Sequence, residues 1–432
     1  MNRMTMVLTA FCLVVATRPA ASNWPHWRGP NRNGLVDGSP PVQWSEHKNI
    51  RWKAPIPGLG HATPIVWGDR IFVQTAVRTD KVVADTGTGR RRPLPNLFQY
   101  RVLALDRHTG KTVWEKTVRE ARPHEGMHRT ASFASPSGIT DGENLYAYFG
   151  SQGLYCLDMD GNLKWEKDLG KYWSRAAFGE GASPTVHGNT LVINWDHEGD
   201  SFIVALDKKT GRELWRNDRD EVTSWSSPVT VEYGGRTQVI VSASRRTRSY
   251  DLNTGALIWE CGGLGTNVIP TPLHADGVVY VASGHRSPAM QAISLDRAKG
   301  DISGSDSVLW SISRDTPYVS SPLLHAGRLF MLKGRGAFLS CYNAGTGKPV
   351  FGPKRLDGTG FIYASLVGAD DRVYITDLEG KTLVVRNSPE FEILATNTLD
   401  EGSGASPVVV GDALYLRGRS HLYCIAEDRT NR

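Results

Sequence analysis

Cysteine is scarce in this chain, five residues in 432, and no two are adjacent. Cys12 sits in the apolar N-terminal run. Cys156, Cys341 and Cys424 hold one repeat position, in Leu154-Tyr155-Cys156-Leu157, Leu339-Ser340-Cys341-Tyr342 and Leu422-Tyr423-Cys424-Ile425. Equivalent positions in different repeats lie far apart, so disulfides among these three are not expected and buried small hydrophobes are. Long apolar runs are also missing. The one stretch of note, Met6 to Ala16, is too short to span a bilayer, and no later segment is long or apolar enough for a transmembrane helix. With Arg3 ahead of it and Pro19-Ala20-Ala21-Ser22 behind, residues 1–22 read as a secretory signal. Phe11 before Cys12 does not suit a lipid-attachment cysteine. The expected product is a soluble, exported monomer of the periplasm or cell envelope. Ala/Glu/Lys/Leu-rich helical stretches are absent, and so is a basic arm: the net charge of +6 is spread along the chain, which argues against nucleic-acid binding.

What is abundant is glycine (45) and tryptophan (13), the balance of an all-β chain with many turns. One phrase recurs: a small residue and Pro, an apolar strand, Gly or Asp, a second apolar strand, then Leu-Asp, a Thr-Gly turn and Trp. Ala104-Leu105-Asp106-Arg107-His108-Thr109-Gly110-Lys111-Thr112-Val113-Trp114 is the clearest copy, followed by Ala205 to Trp215 and Tyr250 to Trp259. The repeats open at Pro64, Pro136, Pro184, Pro228, Pro272, Pro322, Leu366 and Pro407. Such a period suits four short antiparallel strands per blade. The last copy, from Ala405 to Glu427, lacks its Trp strand, and Asn49-Ile50-Arg51-Trp52-Lys53-Ala54 supplies one from the other end of the chain. Pairing the two closes a ring and removes an open sheet edge. Residues 23–432 are therefore expected to form one all-β, eight-bladed β-propeller. The Asp-x-x-Thr-Gly turns are structural, and Trp52, Trp114, Trp165, Trp215, Trp259 and Trp310, with Phe351 in the sixth copy, form a girdle packing blade on blade.

The Ala104–Trp114 phrase resembles the pyrroloquinoline-quinone (PQQ) repeat family, with signature Ala-x-Asp-x-x-x-Gly-Lys-x-x-Trp. At Ala205–Trp215 only Arg212 departs from it. That family includes quinoprotein dehydrogenases and non-catalytic propellers such as the lipoprotein of the outer-membrane barrel-assembly machinery. The leader Asn23-Trp24-Pro25-His26-Trp27-Arg28-Gly29-Pro30-Asn31-Arg32-Asn33-Gly34 is similar to that of exported PQQ-like propellers of planctomycete-type bacteria.

The resemblance implies two kinds of activity. A quinoprotein dehydrogenase of alcohols or sugars holds PQQ over the ring centre with calcium on Glu and Asn, an Asp base, a stacking Trp and commonly a disulfide of adjacent cysteines. Loops ahead of each first strand offer His61, Arg129, Thr130, Arg175, Glu180, Trp225, Asn267, Tyr318, Tyr363 and Ser403 as mouth residues. Among them Glu180, Trp225 and Asn267 have the residue types for metal and stacking roles. Polar and aromatic groups at a propeller mouth equally suit a binding surface. The reading adopted is a non-catalytic binding or scaffold module for an envelope protein or small ligand, with no catalytic residue, metal or cofactor assigned. The PQQ- and calcium-dependent dehydrogenase is the alternative, and a role in outer-membrane protein assembly the third. Two further motifs are set aside. His124-Glu125-Gly126-Met127-His128 matches a zinc-protease pattern, but Pro123 and Gly126 argue against the helix it needs. Asp196-His197-Glu198-Gly199-Asp200 is expected to be a solvated acidic hairpin. An insertion at 78–96, carrying Arg90-Arg91-Arg92, is expected to be a mobile surface loop.

Overall fold

The computed structural model describes residues 23–83 and 92–427. Residues 1–22, expected to be a secretory signal, and the centre of the insertion, with Arg90 and Arg91, lie outside the described residues. Eight sheets follow one another around an axis, one per repeat. Blade 1 runs Ile65–Trp67, Arg70–Val82, Asn96–Asp106 and Thr112–Ala121, every neighbouring pair antiparallel. The first strand of each blade is short and faces the axis. The second and third are buried throughout most of their length, and the fourth alternates at the perimeter.

Ring closure is covalently distant but local in space. Ile50–Pro55 pairs antiparallel with His421–Ile425, with Trp52 opposite Cys424, so blade 8 takes its outer strand from the N-terminal side of the chain. Six blades have four strands. Blade 4 gains Gly300–Asp301, parallel to its outer strand, and blade 7 gains Leu35–Val36, parallel to its inner strand.

Tryptophan joins the blades. The indole N–H of Trp52, Trp114, Trp165, Trp215 and Trp310 donates to the carbonyl of Arg107, Met159, Lys208, Leu252 and Ala344, each in the Asp- or Asn-led turn of the next blade. The turn glycine makes room for the ring. At Gly211, with φ +69°, an added Cβ would stand 2.6 Å from Trp165. Trp259 differs: Gly300 lies beside it, and its N–H donates within its own blade to Gln238 Oε1 at 3.1 Å. The four described cysteines are free, buried thiols.

Three expectations need correction. The base of the insertion is a hairpin, because Arg70–Val82 and Asn96–Asp106 continue to pair as far as Val82 opposite Asn96. The second repeat opens two residues later than Pro136. Ser137 takes the position that Ser183 and Ser227 hold in their blades, so Gly138 stands where other blades have proline. The segment 196–200 is not solvated as a whole. Asp196 and His197 are buried, and Asp196 forms an ion pair with Arg219 in which both side chains have 0% exposure.

Candidate functional site

The axis end of each blade begins with a hydroxyl residue, and the eight hydroxyls close a circle. Thr63 N–H donates to Ser137 Oγ (2.9 Å), Ser137 to Ser183 (2.9 Å), Ser183 to Ser227 (2.9 Å) and Ser227 to Thr271 Oγ1 (3.4 Å). Thr271 continues to Ser321 (3.0 Å), Ser321 to Ser365 (2.9 Å), Ser365 to Ser406 (3.0 Å), and Ser406 N–H returns to Thr63 Oγ1 (3.3 Å). Each contact ties one blade to the next at the narrowest radius, where only small side chains fit. Each contributes about 1 kcal/mol.

Below this circle the leader crosses the channel. Trp24 exchanges backbone hydrogen bonds with Val66 of blade 1, Pro25 O accepts from Thr140 N of blade 2, and Arg32 donates to Val186 O of blade 3. Arg28 reaches the carbonyls of Pro322 and Leu366, opening blades 6 and 7, at 2.7 Å each. Leu35–Val36 then pairs with Gly368–Ala369. One segment thus contacts the inner strands of five blades, and it closes the channel from beneath.

Above the circle lies a cavity of about 470 Å³ with Trp27 as its floor and one hydroxyl from every blade in its wall. Six of the ten mouth candidates line it: His61, Thr130, Glu180, Trp225, Tyr318 and Tyr363. Arg129 and Arg175 stand outside the cavity wall. Asn267 and Ser403 are instead parts of the scaffold. Asn267 is 3% exposed, with φ +56° and its N–H on Ser244 Oγ; Ser403 Oγ donates to Arg417 O at 2.7 Å.

The wall also includes residues the sequence reading missed: His128, Phe178, His285, Arg335 and the floor residue Trp27. His285 and Arg335 sit between the second and third strands of blades 5 and 6. Up-and-down strand order places those hairpins on the same face as the loops ahead of each first strand. That topological signal was available in the repeat.

Aromatic rings brace one another around the opening. Phe178 lies 6.4 Å from Trp225 and 5.5 Å from His128, and His285 lies 4.9 Å from Tyr318. Trp225 donates its indole N–H to Gly179 O at 2.7 Å. The imidazoles are held neutral. Burial, then the charges of Arg286, Arg175 and Arg335, keeps His285 below its ordinary value, and burial followed by Arg129 and Arg335 does the same to His128. Burial, then Arg417 and Arg419, pulls His61 down to about 4.

Glu180 is the one carboxyl in the wall. It accepts the Ser151 N–H at 2.9 Å, a fit that needs glycine at Gly150, where a Cβ would stand 1.8 Å from the carboxylate. Burial, reinforced by Glu125, pushes its pKa up to about 8 despite that hydrogen bond. A carboxyl raised in the folded state binds its proton where the unfolded chain has lost it, so its contribution falls as pH rises from about 4.5 to about 8. Glu180→Gln is expected to flatten this dependence and to melt higher than the parent above pH 8. Thermal melts of both proteins across that range check this, and parallel curves would refute it.

These residues do not fit a calcium–quinone centre. Glu180 lines the cavity, but Asn267 is buried away from it. Glu125, the carboxyl that acts on Glu180, is taken up by Ser174 and does not line the cavity, so among the described residues Glu180 has no second carboxylate beside it in the wall. Calcium takes six to eight oxygen ligands, several of them usually carboxylate. Among the described residues no three His, Cys, Asp or Glu side chains converge as a metal site. In the 124–128 segment, His124 Nε2 meets Tyr172 O, Glu125 accepts Ser174 N–H and Oγ, and His128 Nδ1 meets Thr130 Oγ1. The three side chains thus have separate partners in a loop.

Eight blades, each built on four antiparallel strands, with indole-to-turn docking and an axial cavity closed at one end, define a β-propeller of PQQ-type repeats. The chain belongs to the PQQ_2 family, described as outer membrane protein assembly factor BamB, whose pattern matches residues 99–262 and 199–431. An outer membrane protein assembly factor BamB from Yersinia pestis is 23% identical over 341 residues, 74% of this chain and 78% of that protein. The crystal structure of BamB from Moraxella catarrhalis is similar with a TM-score of 0.56 at 14% identity, covering 82% of this chain and 99% of that one. Quinohemoprotein alcohol dehydrogenase from Comamonas testosteroni aligns with a TM-score of 0.65 at 11% identity, over 96% of this chain and 82% of that one. At these identities the structural likeness concerns the fold alone.

Proposed function

We propose that this protein is exported and works in the cell envelope as a non-catalytic binding module, taking its ligand or partner at the open end of the channel. The observation that carries the reading is the one-ended cavity: eight blades in its wall, the protein's own leader beneath it, and aromatic, imidazole and hydroxyl groups around a single carboxyl. Such concave sites, mostly preformed, are where propellers bind. The family's description supports an envelope location and protein partners, and the reading of residues 1–22 as a secretory signal agrees with export. No helix among the described residues is long and apolar enough to cross a membrane.

The test separates binding from quinone chemistry. Purified mature protein is titrated with PQQ and calcium and followed by absorbance and thermal shift. The expected result is no saturable change at high micromolar PQQ and no dye-linked oxidation of alcohols. A calcium-dependent, saturable rise in melting temperature accompanied by turnover would overturn the proposal in favour of a dehydrogenase.

A further inference from the structure

We propose that the mouth receives an acidic peptide segment of a partner protein, whose carboxylates meet the arginines of the rim while one of its side chains enters the cavity. This inference rests on the binding-module reading and names what it binds.

Many arginines away from the mouth have acidic partners: Arg101 with Glu115, Arg216 with Glu213, Arg246 with Asp301, Arg297 with Asp306, and Arg386 with Asp371 and Glu392. Arg70 and Arg212, without an ion pair among the described residues, stand singly there, whereas at the mouth such arginines are gathered together. Around the mouth, Arg129, Arg175, Arg286, Arg335 and Arg419 make no ion pair among the described residues. Arg335 lies over the exposed Phe361 ring at 5.3 Å. Three nearby carboxylates have other partners, while Glu379 in the blade 7 hairpin makes no ion pair among the described residues. Glu401 holds Ser420 and His421, Asp315 pairs with Lys333 at 2.8 Å, and Glu198 accepts Thr223 Oγ1. These five guanidinium groups stand beside the opening, and burial together with arginine charge lowers the pKa of His61, His128 and His285 there. A local positive field of this kind favours an anion.

The spread of these charges points to a chain rather than a small anion. Of the five, only Arg335 lines the cavity. The others come from the connections into blades 2 and 3 and from hairpins of blades 5 and 8, so a ligand filling the cavity alone would leave most of them unmet. A peptide crossing the opening meets several. Guanidinium binds carboxylate, as it does phosphate, in a bidentate fork, and the oligonucleotide probe below distinguishes the two. The rim also exposes large aromatic rings, Phe361 at 51% and Trp173 and Phe178 at 37% each. Aromatic side chains beside arginine are the usual anchors of peptide recognition.

The experiment uses the full mature chain and fluorescence anisotropy. The probes are a labelled polyglutamate peptide with one central phenylalanine, its polylysine counterpart, benzene-1,3,5-tricarboxylate as competitor, and a single-stranded oligonucleotide. Saturable binding is expected for the acidic peptide alone, weakening about tenfold between ~0.1 and ~0.5 M salt. Arg175→Ala with Arg335→Ala should weaken it at least about tenfold. Arg212→Ala, in the turn at the opposite face, should leave it unchanged. The charge-reversed pair, Arg175→Glu with Arg335→Glu, should transfer preference to the lysine peptide, with melting curves confirming that every variant is folded. Equal loss in Arg212→Ala, equal affinity for the oligonucleotide, or tricarboxylate binding as tight as the peptide would overturn the proposal. So would a failure of the acidic peptide to saturate at high micromolar concentration. If none of the probes binds and PQQ does not either, this inference falls alone; calcium-dependent PQQ turnover removes the underlying reading instead.

Discussion

Arg28→Met is expected to destabilise the protein by about 3–5 kcal/mol, the cost of stripping buried polar groups of a charged partner. The side chain has 0% exposure and no carboxylate beside it. Its Nη1 donates to Leu366 O and its Nη2 to Asn33 O and Pro322 O, all at 2.7 Å, while Nε finds no partner among the described residues, and burial drags its pKa down to about 9. Methionine fills much of the same volume but leaves three carbonyls facing an apolar chain at a fully buried position. Lysine is a poor replacement, since one ammonium cannot reproduce the planar fork that spans blades 6 and 7. Gly34 belongs to the same device. Its φ is +82°, and a Cβ there would lie 2.7 Å from the Arg28 guanidinium carbon. The measurement is the urea midpoint at unchanged slope, joined to amide exchange at Thr140 and Gly368, whose N–H groups bond to Pro25 O and Gly34 O in the leader. Both amides should exchange faster in the variant. Stability within about 0.5 kcal/mol of the parent, with protection intact, would mean that the leader is an appendage and not a structural plug.

The blade count and the closure of the ring were legible because they depend on repetition: a period, a turn and a Trp strand displaced to the other terminus as Asn49–Ala54. The hydroxyls were also in view, as the small residue before each proline, but that they bond in a circle depends on all eight blades being present at once. Blade 2 misled the reading because a proline, Pro136, happens to lie two residues ahead of Gly138. The leader was recognisable as a motif, yet nothing local tells Arg28 that its partners are 294 and 338 residues away. At the mouth, the loops ahead of the first strands were identified and the hairpins between second and third strands were not. His285 and Arg335 were missed for that reason. Asn267 and Ser403 were placed in the correct loops, but loop membership does not determine whether a side chain turns toward the axis or into the wall.

Asp196→Ala is expected to cost about 3–5 kcal/mol, because it leaves Arg219 charged and buried without a counter-ion. The sequence 196–200 reads as an acidic surface turn, yet its first carboxylate is drawn inward. Arg219 Nε and Nη2 meet Asp196 Oδ1 and Oδ2 at 2.7 and 3.1 Å, Ser224 Oγ and Asn194 Nδ2 donate to Oδ2, and Arg219 Nη1 donates to the Tyr250 hydroxyl at 2.6 Å. Burial opposes the charge on Arg219, but Asp196 and Tyr250 outweigh it and hold the guanidinium above its ordinary value. The pair therefore stands because its members satisfy each other, and either one alone is a liability. Arg219→Met should lose a similar amount, with Asp196 left unpaired. The double variant, Asp196→Ala with Arg219→Met, should be more stable than the sum of the two losses by about 2–3 kcal/mol, the coupling expected of groups sharing one network. Urea midpoints for the four proteins of the cycle give that number directly. Strict additivity would show that the two residues contribute independently, and the buried pair would then be no more than a coincidence of packing.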